Sequence, residues 1–301
     1  YASPGVGVLA EGFRLLPDLV APLAVPGSAV WLLPTPAFRE AVFTRRGWRS
    51  YVTAPVGYLP VEVTIGGATH VTRTDRSGYL DLEVQRHDLQ PGWHDVTIAA
   101  KAARPETARL FVVDADATLG LVSDIDDTVM VTSVPRPLIA LWNTFVRHGS
   151  ARKAVPGMAQ MYDELLARNP GAPTFYLSTG AWNIMPTLVQ VLRSGGYPTG
   201  PMLMTDWGPT NTGWFRSGQE HKRSALRRLR AELPQVTWVL VGDDGQHDPM
   251  IYREFASEHP DRVAAIAIRQ LTPGEQVLAH GTPVATMDTI WTPQSRSVPE
   301  I

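Results

Sequence analysis

The sequence predicts an α/β protein in which a small antiparallel β-sandwich precedes a doubly wound parallel sheet. Three observations carry this. Between Tyr51 and Asp116 short apolar runs alternate inward and outward and are punctuated by glycine-rich turns. After Asp116 buried-type strands alternate with amphipathic helices. With 301 residues and 44% hydrophobic composition, the chain has enough apolar material for two cores.

Residues 1–50 are rich in Pro, Gly and Ala without a sustained period and predict irregular covering chain. Over residues 51–116, Val61, Val63 and Ile65, then Leu80, Leu82 and Val84, then Val96 and Ile98, then Leu110 and Val112 recur at every second position. That is the period at which one strand face turns to a core. Gly66-Gly67, Ser77-Gly78 and Pro91-Gly92 supply the turns, and the spacing is that of a sandwich. Residues 117–270 predict strands near 119–123, 174–178, 201–204, 237–242 and 263–268, with helices near 156–168, 183–194, 219–233 and 249–258. Strands buried on both faces read as unbroken apolar runs, and the helices between them are the crossovers. Residues 271–301 contain Pro273, Pro283, Pro293 and Pro299 and predict loop or extended covering chain.

Composition removes several function classes. Twenty-seven Lys plus Arg against 29 Asp plus Glu leave a net charge of −2, which argues against a nucleic-acid partner. The absence of Cys excludes disulfides, thiolate metal sites and a cysteine nucleophile. No apolar run reaches the roughly 18–20 residues of a spanning helix, and Pro17, Pro22, Pro26, Pro34 and Pro36 interrupt the apolar N-terminal region. The expected location is cytoplasmic or peripheral to a membrane. Because the chain begins at Tyr1 rather than Met, a removed targeting segment stays open.

In doubly wound sheets ligands bind outside the carboxyl ends of the strands, so the polar residues that follow each strand are the candidates. Ser123-Asp124-Ile125-Asp126-Asp127-Thr128 follows the first strand. Its carboxylates repel by about 1 kcal/mol per pair at ~4 Å in water, and by about 4 kcal/mol at an effective dielectric of about 20. Helix capping could use such acids, but a hard divalent cation such as Mg²⁺ would offset them. A calcium loop beginning at Asp124 fails, because it would place Val129 where Gly belongs and Pro135 where Glu belongs. Ser178-Thr179-Gly180 after the second strand can seat a phosphate, while Asn183 can cap the next helix, which Gly195 ends. Lys222 falls in the first turn of a helix, where a cation opposes the helix dipole. Arg223, Arg227, Arg228 and Arg230 on the same helix read as a solvated basic face. Asp243 directly follows the fourth strand and reads as a metal ligand, whereas Asp248 before Pro249 serves equally as ligand or helix cap. His247 reads as solvent-facing or hydrogen-bonded.

Together, D-x-D-x-T after strand one, Ser178, Lys222 and G-D-x-x-x-x-D after strand four resemble the four motifs of the haloacid dehalogenase superfamily of phosphotransferases. More narrowly, Ser123 to Val129, the Ser178 and Trp182 pair, Gly242-Asp243 with Gly245-Gln246, and Asp248-Pro249 are similar to the actin-patch-type phosphatidate phosphatase catalytic domain family over about residues 119–270. Thr179-Gly180-Ala181 and Asp244 depart from that family's usual forms. The resemblance implies that Asp124 is the nucleophile that forms an aspartyl-phosphate. Asp126 is the implied acid/base, and Thr128 orients its loop. By the same resemblance Ser178 and Lys222 grip phosphate oxygens, and Asp124, the Asp126 carbonyl, Asp243 and Asp248 hold Mg²⁺.

The implied reaction is hydrolysis of phosphatidate to diacylglycerol and phosphate. Only about 50 residues separate Thr128 from Ser178, which leaves no room for a large cap and favours a bulky substrate. Leu138, Ile139, Leu141, Trp142, Phe145 and Val146 form an apolar stripe within that interval, either core packing or a lid that meets acyl chains. The alternatives are another large phosphomonoester, such as a phosphoprotein or a nucleic-acid end, and a binding protein with a vestigial hydrolase domain. No partner of the sandwich can be read from its residues.

Overall fold

The computed structural model describes residues 58–74, 87–101, 105–131, 153–205, 218–245, 247–273 and 290–291, with Leu80, Leu82, Val84, Ala103 and Glu275 singly between them. The apolar stripe from Leu138 to Val146, residues 1–50 and most of the C-terminal segment lie outside the described residues.

The first four strands are β1 (Pro60–Ile65), β2 (Ala68–Arg73), β3 (Gly92–Ala100) and β4 (Glu106–Val112), all antiparallel, in the order β2-β1-β3-β4. Val61, Val63, Ile65, Val96, Ile98, Leu110 and Val112 are buried together on one face, as their two-residue period predicts. Among the described residues this is one sheet, not the two facing sheets of a sandwich. Leu80, Leu82 and Val84, expected as a strand, lie in none, yet Leu80 and Val84 are buried in the same cluster. Alternation reports which side chains meet a core; it does not report whether the backbone has a ladder partner.

The α/β part contains β5 (Leu119–Ser123), β6 (Met130–Val131), β7 (Lys153–Ala154), α1 (Met158–Arg168), β8 (Thr174–Ala181), α2 (Met185–Ser194), β9 (Met202–Thr205), α3 (Gly218–Glu232), β10 (Thr237–Asp243), α4 (Asp248–Glu258), β11 (Val263–Arg269) and β12 (Ile290–Trp291). The main sheet has the order β12-β11-β10-β5-β8-β9, with β5, β8, β9, β10 and β11 parallel and β12 antiparallel at one edge. From β5 the chain moves outward through β8 to β9, then returns to β10 on the other side of β5. The order therefore reverses between β5 and β10, which opens a crevice at their carboxyl ends.

Successive residues of these strands feed opposite cores. Leu121, Tyr176, Met202 and Val241 pack with Tyr162 of α1 and Leu188 of α2. Val122, Phe175, Leu203 and Leu240 pack with Leu226 and Leu229 of α3 and Phe255 of α4. Each fully buried Leu or Phe contributes about 1.5–3 kcal/mol. Trp93 and Phe111, ring centroids 4.8 Å apart, join the antiparallel sheet to the second of these cores. β6 and β7 pair as a short antiparallel stem.

Three boundaries are informative, and those of β8 and α3 differ from the sequence reading. β8 continues to Ala181, so Ser178 lies within a strand, at a register shift against β9. α2 ends at Ser194 with Gly195 as its cap, as the sequence predicts, and the left-handed residue of the Schellman turn is Gly196 (φ 76°), with Gly196 N–H donating to Arg193 O and Tyr197 N–H to Leu192 O. α3 begins at Gly218, which puts Lys222 one turn inside the helix. No helix among the described residues is long and apolar enough to cross a membrane.

Candidate active site

Every sequence-predicted site residue lies at the carboxyl ends of β5, β8 and β10 or on the facing starts of α3 and α4. After β5 the backbone stays pinned to its neighbour, with Asp124 N–H donating to Val241 O at 2.8 Å. Beneath it, Tyr162 of α1 donates to Ser123 Oγ at 2.6 Å, and Ser123 Oγ–H passes on to the Asp124 carbonyl at 2.6 Å. The chain then turns through Asp127, which has a left-handed φ of 61°, a conformation Asp tolerates better than most residues. Val129 N–H closes the turn onto Ile125 O at 3.1 Å.

The heart of the site is a buried carboxylate cluster. Asp124, Asp243 and Asp248 each offer an oxygen lying within 4.8 Å of the others, and all three are buried. Lys222 Nζ donates to Asp124 Oδ1 at 2.7 Å and to Asp248 Oδ1 at 2.5 Å. The Thr128 hydroxyl lies 3.3 Å from Asp124 Oδ2 and 3.2 Å from Asp243 Oδ2, so its one proton is shared between the two carboxylates. The resemblance implied a Thr128 that orients the acid/base loop; its hydroxyl contacts are with the Asp124 and Asp243 carboxylates. Gly245 N–H donates to Asp243 Oδ1 at 2.7 Å, closing a tight turn after β10.

Asp248 is not a helix cap. His247 occupies the cap position without a side-chain bond, and Asp248 is the first helical residue, its carboxylate turned inward to Lys222. Gly242 makes this approach possible, because a Cβ there would stand 2.5 Å from Asp248 Oδ2 and 2.7 Å from its Cβ. His247 itself is exposed.

Asp126 and Ser178 form the second half of the site. Ser178 Oγ donates to Asp126 Oδ2 at 3.3 Å and accepts from Gly180 N–H at 2.9 Å. Asp126 Oδ1 is buried without a donor. Asn183 falls in a single 3-10 turn, Trp182–Ile184, and Ile184 holds the cap position of α2.

The electrostatics follow from burial. Desolvation pushes the Asp243 carboxyl up to about 8, with the Asp248 charge adding to it. Burial also pushes Asp124 upward, opposed by Lys222. Lys222 is itself penalised by burial, yet Asp124 and Asp248 hold it protonated above the usual lysine range. One ammonium thus bonds two of the three carboxylates, Asp124 and Asp248, and Asp248 Oδ2 is buried with no donor. Such a hard oxygen set with excess negative charge fits a divalent cation, so the residues present suit Mg²⁺.

Two features escape the sequence reading. Asp244, adjacent to Asp243, accepts from Leu271 N–H at 2.9 Å and so anchors the chain after β11 rather than joining the cluster. Arg269, at the end of β11, donates to Asp127 O and to Glu275. The rule that singles out Asp243, a polar residue directly after a buried strand, also singles out Arg269. The arginines of α3 are not a free basic face: Arg223 and Arg227 pair with Glu254 and Glu258 of α4, and Arg228 with Glu232.

The carboxyl ends of this doubly wound sheet gather three buried carboxylates, a lysine and a serine. The chain belongs to the family described as phosphatidate phosphatase APP1, catalytic domain, whose model matches residues 119–270. The phosphatidate phosphatase APP1 of Saccharomyces cerevisiae is 26% identical over 152 residues, covering 50% of this chain and 26% of that protein. An uncharacterized protein of Schizosaccharomyces pombe is 25% identical over 154 residues, covering 51% of this chain and 25% of that protein. The match therefore spans about a quarter of either relative's length. A solved carbohydrate esterase aligns at a TM-score of 0.22 and 8% identity over 71% of this chain and 74% of its own, too remote to inform the fold.

Proposed function

We propose that this chain is a Mg²⁺-dependent phosphatidate phosphatase of the haloacid dehalogenase type, releasing diacylglycerol and phosphate through an aspartyl-phosphate. The observation that carries the reading is the convergence of Asp124, Asp126, Ser178, Lys222, Asp243 and Asp248 at one crevice of a domain in this family.

In this reading an Asp124 carboxylate oxygen attacks phosphorus, and the bond from phosphorus to the glycerol oxygen breaks. Asp126, as the acid of this step, gives a proton to that leaving oxygen. A water then attacks the aspartyl-phosphate while Asp126 takes its proton back, which frees phosphate and restores the Asp124 carboxylate. Ser178 has two tasks: its hydroxyl aims Asp126 through the 3.3 Å contact and lies beside the crevice that receives phosphate oxygens. Lys222, buried and charged, steadies Asp124 and supplies positive potential for phosphate. Asp124, Asp243, Asp248 and the Asp126 carbonyl would hold Mg²⁺, which neutralises charge between nucleophile and phosphate when bound.

The test is phosphate release from phosphatidate in vesicles beside a panel of soluble phosphomonoesters, with Mg²⁺ or with chelator, using Asp124→Asn protein as the blank. Mg²⁺-dependent release strongest on vesicles is expected. Release from soluble esters alone would discard the lipid substrate, and silence throughout would discard the hydrolase reading.

A further inference from the structure

The turn that carries Asp126 has an unusual support. Its backbone is reversed by the left-handed Asp127, and the carbonyl of that residue is held by Arg269 Nη1. Arg269 arrives from two strands away. β11 pairs with β10 so that Arg269 lies opposite Asp243, and the side chain spans the end of β10 to reach the turn after β5. Its other arm donates to Glu275 Oε1 at 2.7 Å, with the two side chains only 15% and 13% exposed. Glu275 is fixed in turn by a capping box: Thr272 N–H and Oγ–H donate to Glu275 Oε2, each at 2.8 Å, and Glu275 N–H returns to Thr272 Oγ at 3.4 Å. Asp244 holds Leu271 N–H between these two points.

A left-handed non-glycine residue persists where its surroundings hold it. A guanidinium anchored at one arm and hydrogen-bonded at the other is a rigid strut, because its donors form a fixed fork. We infer that Arg269, braced by Glu275, is a positioning residue that fixes the turn after β5 and thereby aims the Asp126 carboxyl at the leaving-group oxygen. The inference rests on the proposed phosphatase reading. It adds a residue from β11 and a brace at Glu275, which lies beyond the stretch matched by the family model.

The chemistry supplies a specific readout. An alkyl phosphate has a poor leaving group that needs the proton of Asp126, whereas an aryl phosphate has a good one that does not. In Arg269→Gln the ratio of alkyl to aryl kcat/KM, which reports transfer to Asp124 and not the hydrolysis step the two esters share, is expected to fall about tenfold or more, since a positioned general acid contributes roughly 10²–10⁴-fold. The kcat of both esters is also expected to fall, because Asp126 takes the proton of the water in that shared step. Arg269→Lys keeps one donor and recovers part of the ratio; Glu275→Gln, which keeps the capping contacts, gives a smaller fall in the same direction. Backbone hydrogen exchange supplies the arm independent of activity: the amides of Val129 and Met130, which bond to Ile125 O, lose protection in Arg269→Gln while those of β5 and β10 keep it.

Unchanged protection at Val129 and Met130 overturns the strut whatever the activity. Deprotection with kcat/KM lowered equally on alkyl and aryl esters overturns its link to Asp126. If wild-type protein turned over neither ester while Arg269→Gln still deprotected the turn, the phosphatase reading would fall, taking the link to Asp126 with it and leaving Arg269 as a brace of the turn.

Discussion

Helix α3 carries the same kind of pair on its two sides, and the two behave differently. On the inner side Lys222 meets Asp124 and Asp248, and all three side chains are at most 3% exposed. On the outer side Arg223 and Arg227 meet Glu254 and Glu258 of α4, with Arg227 46% and Glu258 41% exposed. Water screens the outer ladder, so each pair there contributes little and serves mainly to set α3 against α4. The inner cluster has lost its water, and two of its three carboxylates, those of Asp124 and Asp248, are held by one ammonium. A buried cluster with more carboxylates than cations is a candidate functional site on physical grounds.

The comparison breaks most sharply at Asp124. Asp124→Asn should reduce phosphate release to background while near-ultraviolet circular dichroism stays native, since the amide fills the same volume. A folded Asp124→Asn protein with unchanged rates would end the nucleophile assignment. Lys222→Met comes next: it strands two buried carboxylates and is expected to cost about 3–5 kcal/mol in urea unfolding with chelator present. An unchanged midpoint there would mean that the inner pair is no stronger than the outer ladder.

Asp243→Asn sharpens the contrast from the opposite direction. It removes a carboxyl whose ionisation burial disfavours while Gly245 N–H and the Thr128 hydroxyl can still find partners, so stability in chelator should hold or rise. The stabilisation of wild-type protein by added Mg²⁺ should shrink in this variant. A thermal scan with and without Mg²⁺ checks both, and an undiminished Mg²⁺ shift would remove Asp243 from the ligand set. The smallest effect is expected from Arg227→Ala, whose midpoint should barely move and should respond to salt no more than wild type.

How much was legible follows from how local each signal is. The acids after β5 and β10 stand out because a buried apolar run ends abruptly in charge, a pattern visible within ten residues. The β10 turn is equally local, Asp243 and Gly245 being two residues apart. The strand at Leu80 to Val84 misled because burial and pairing leave the same alternation. Asp248 stayed ambiguous because Asp-Pro at a helix start is good capping chemistry; only Gly242, by clearing space beside it, lets that carboxylate turn inward. Arg223 and Arg227 read as solvated because their acidic partners sit 31 residues away on another helix.

The sequence by itself determined the order of strands and helices, the crevice at the carboxyl ends, and the identity of the charged residues there. Those depend on hydrophobic period and on turn chemistry, which act over a few residues. Only the tertiary structure decided who compensates whom. Lys222 bonds to Asp124 across 98 residues, Thr128 to Asp243 across 115, and Arg269 to Asp127 across 142. Such pairings follow from sheet order and strand register, which bring distant residues into one dry volume where Coulomb energy is no longer screened.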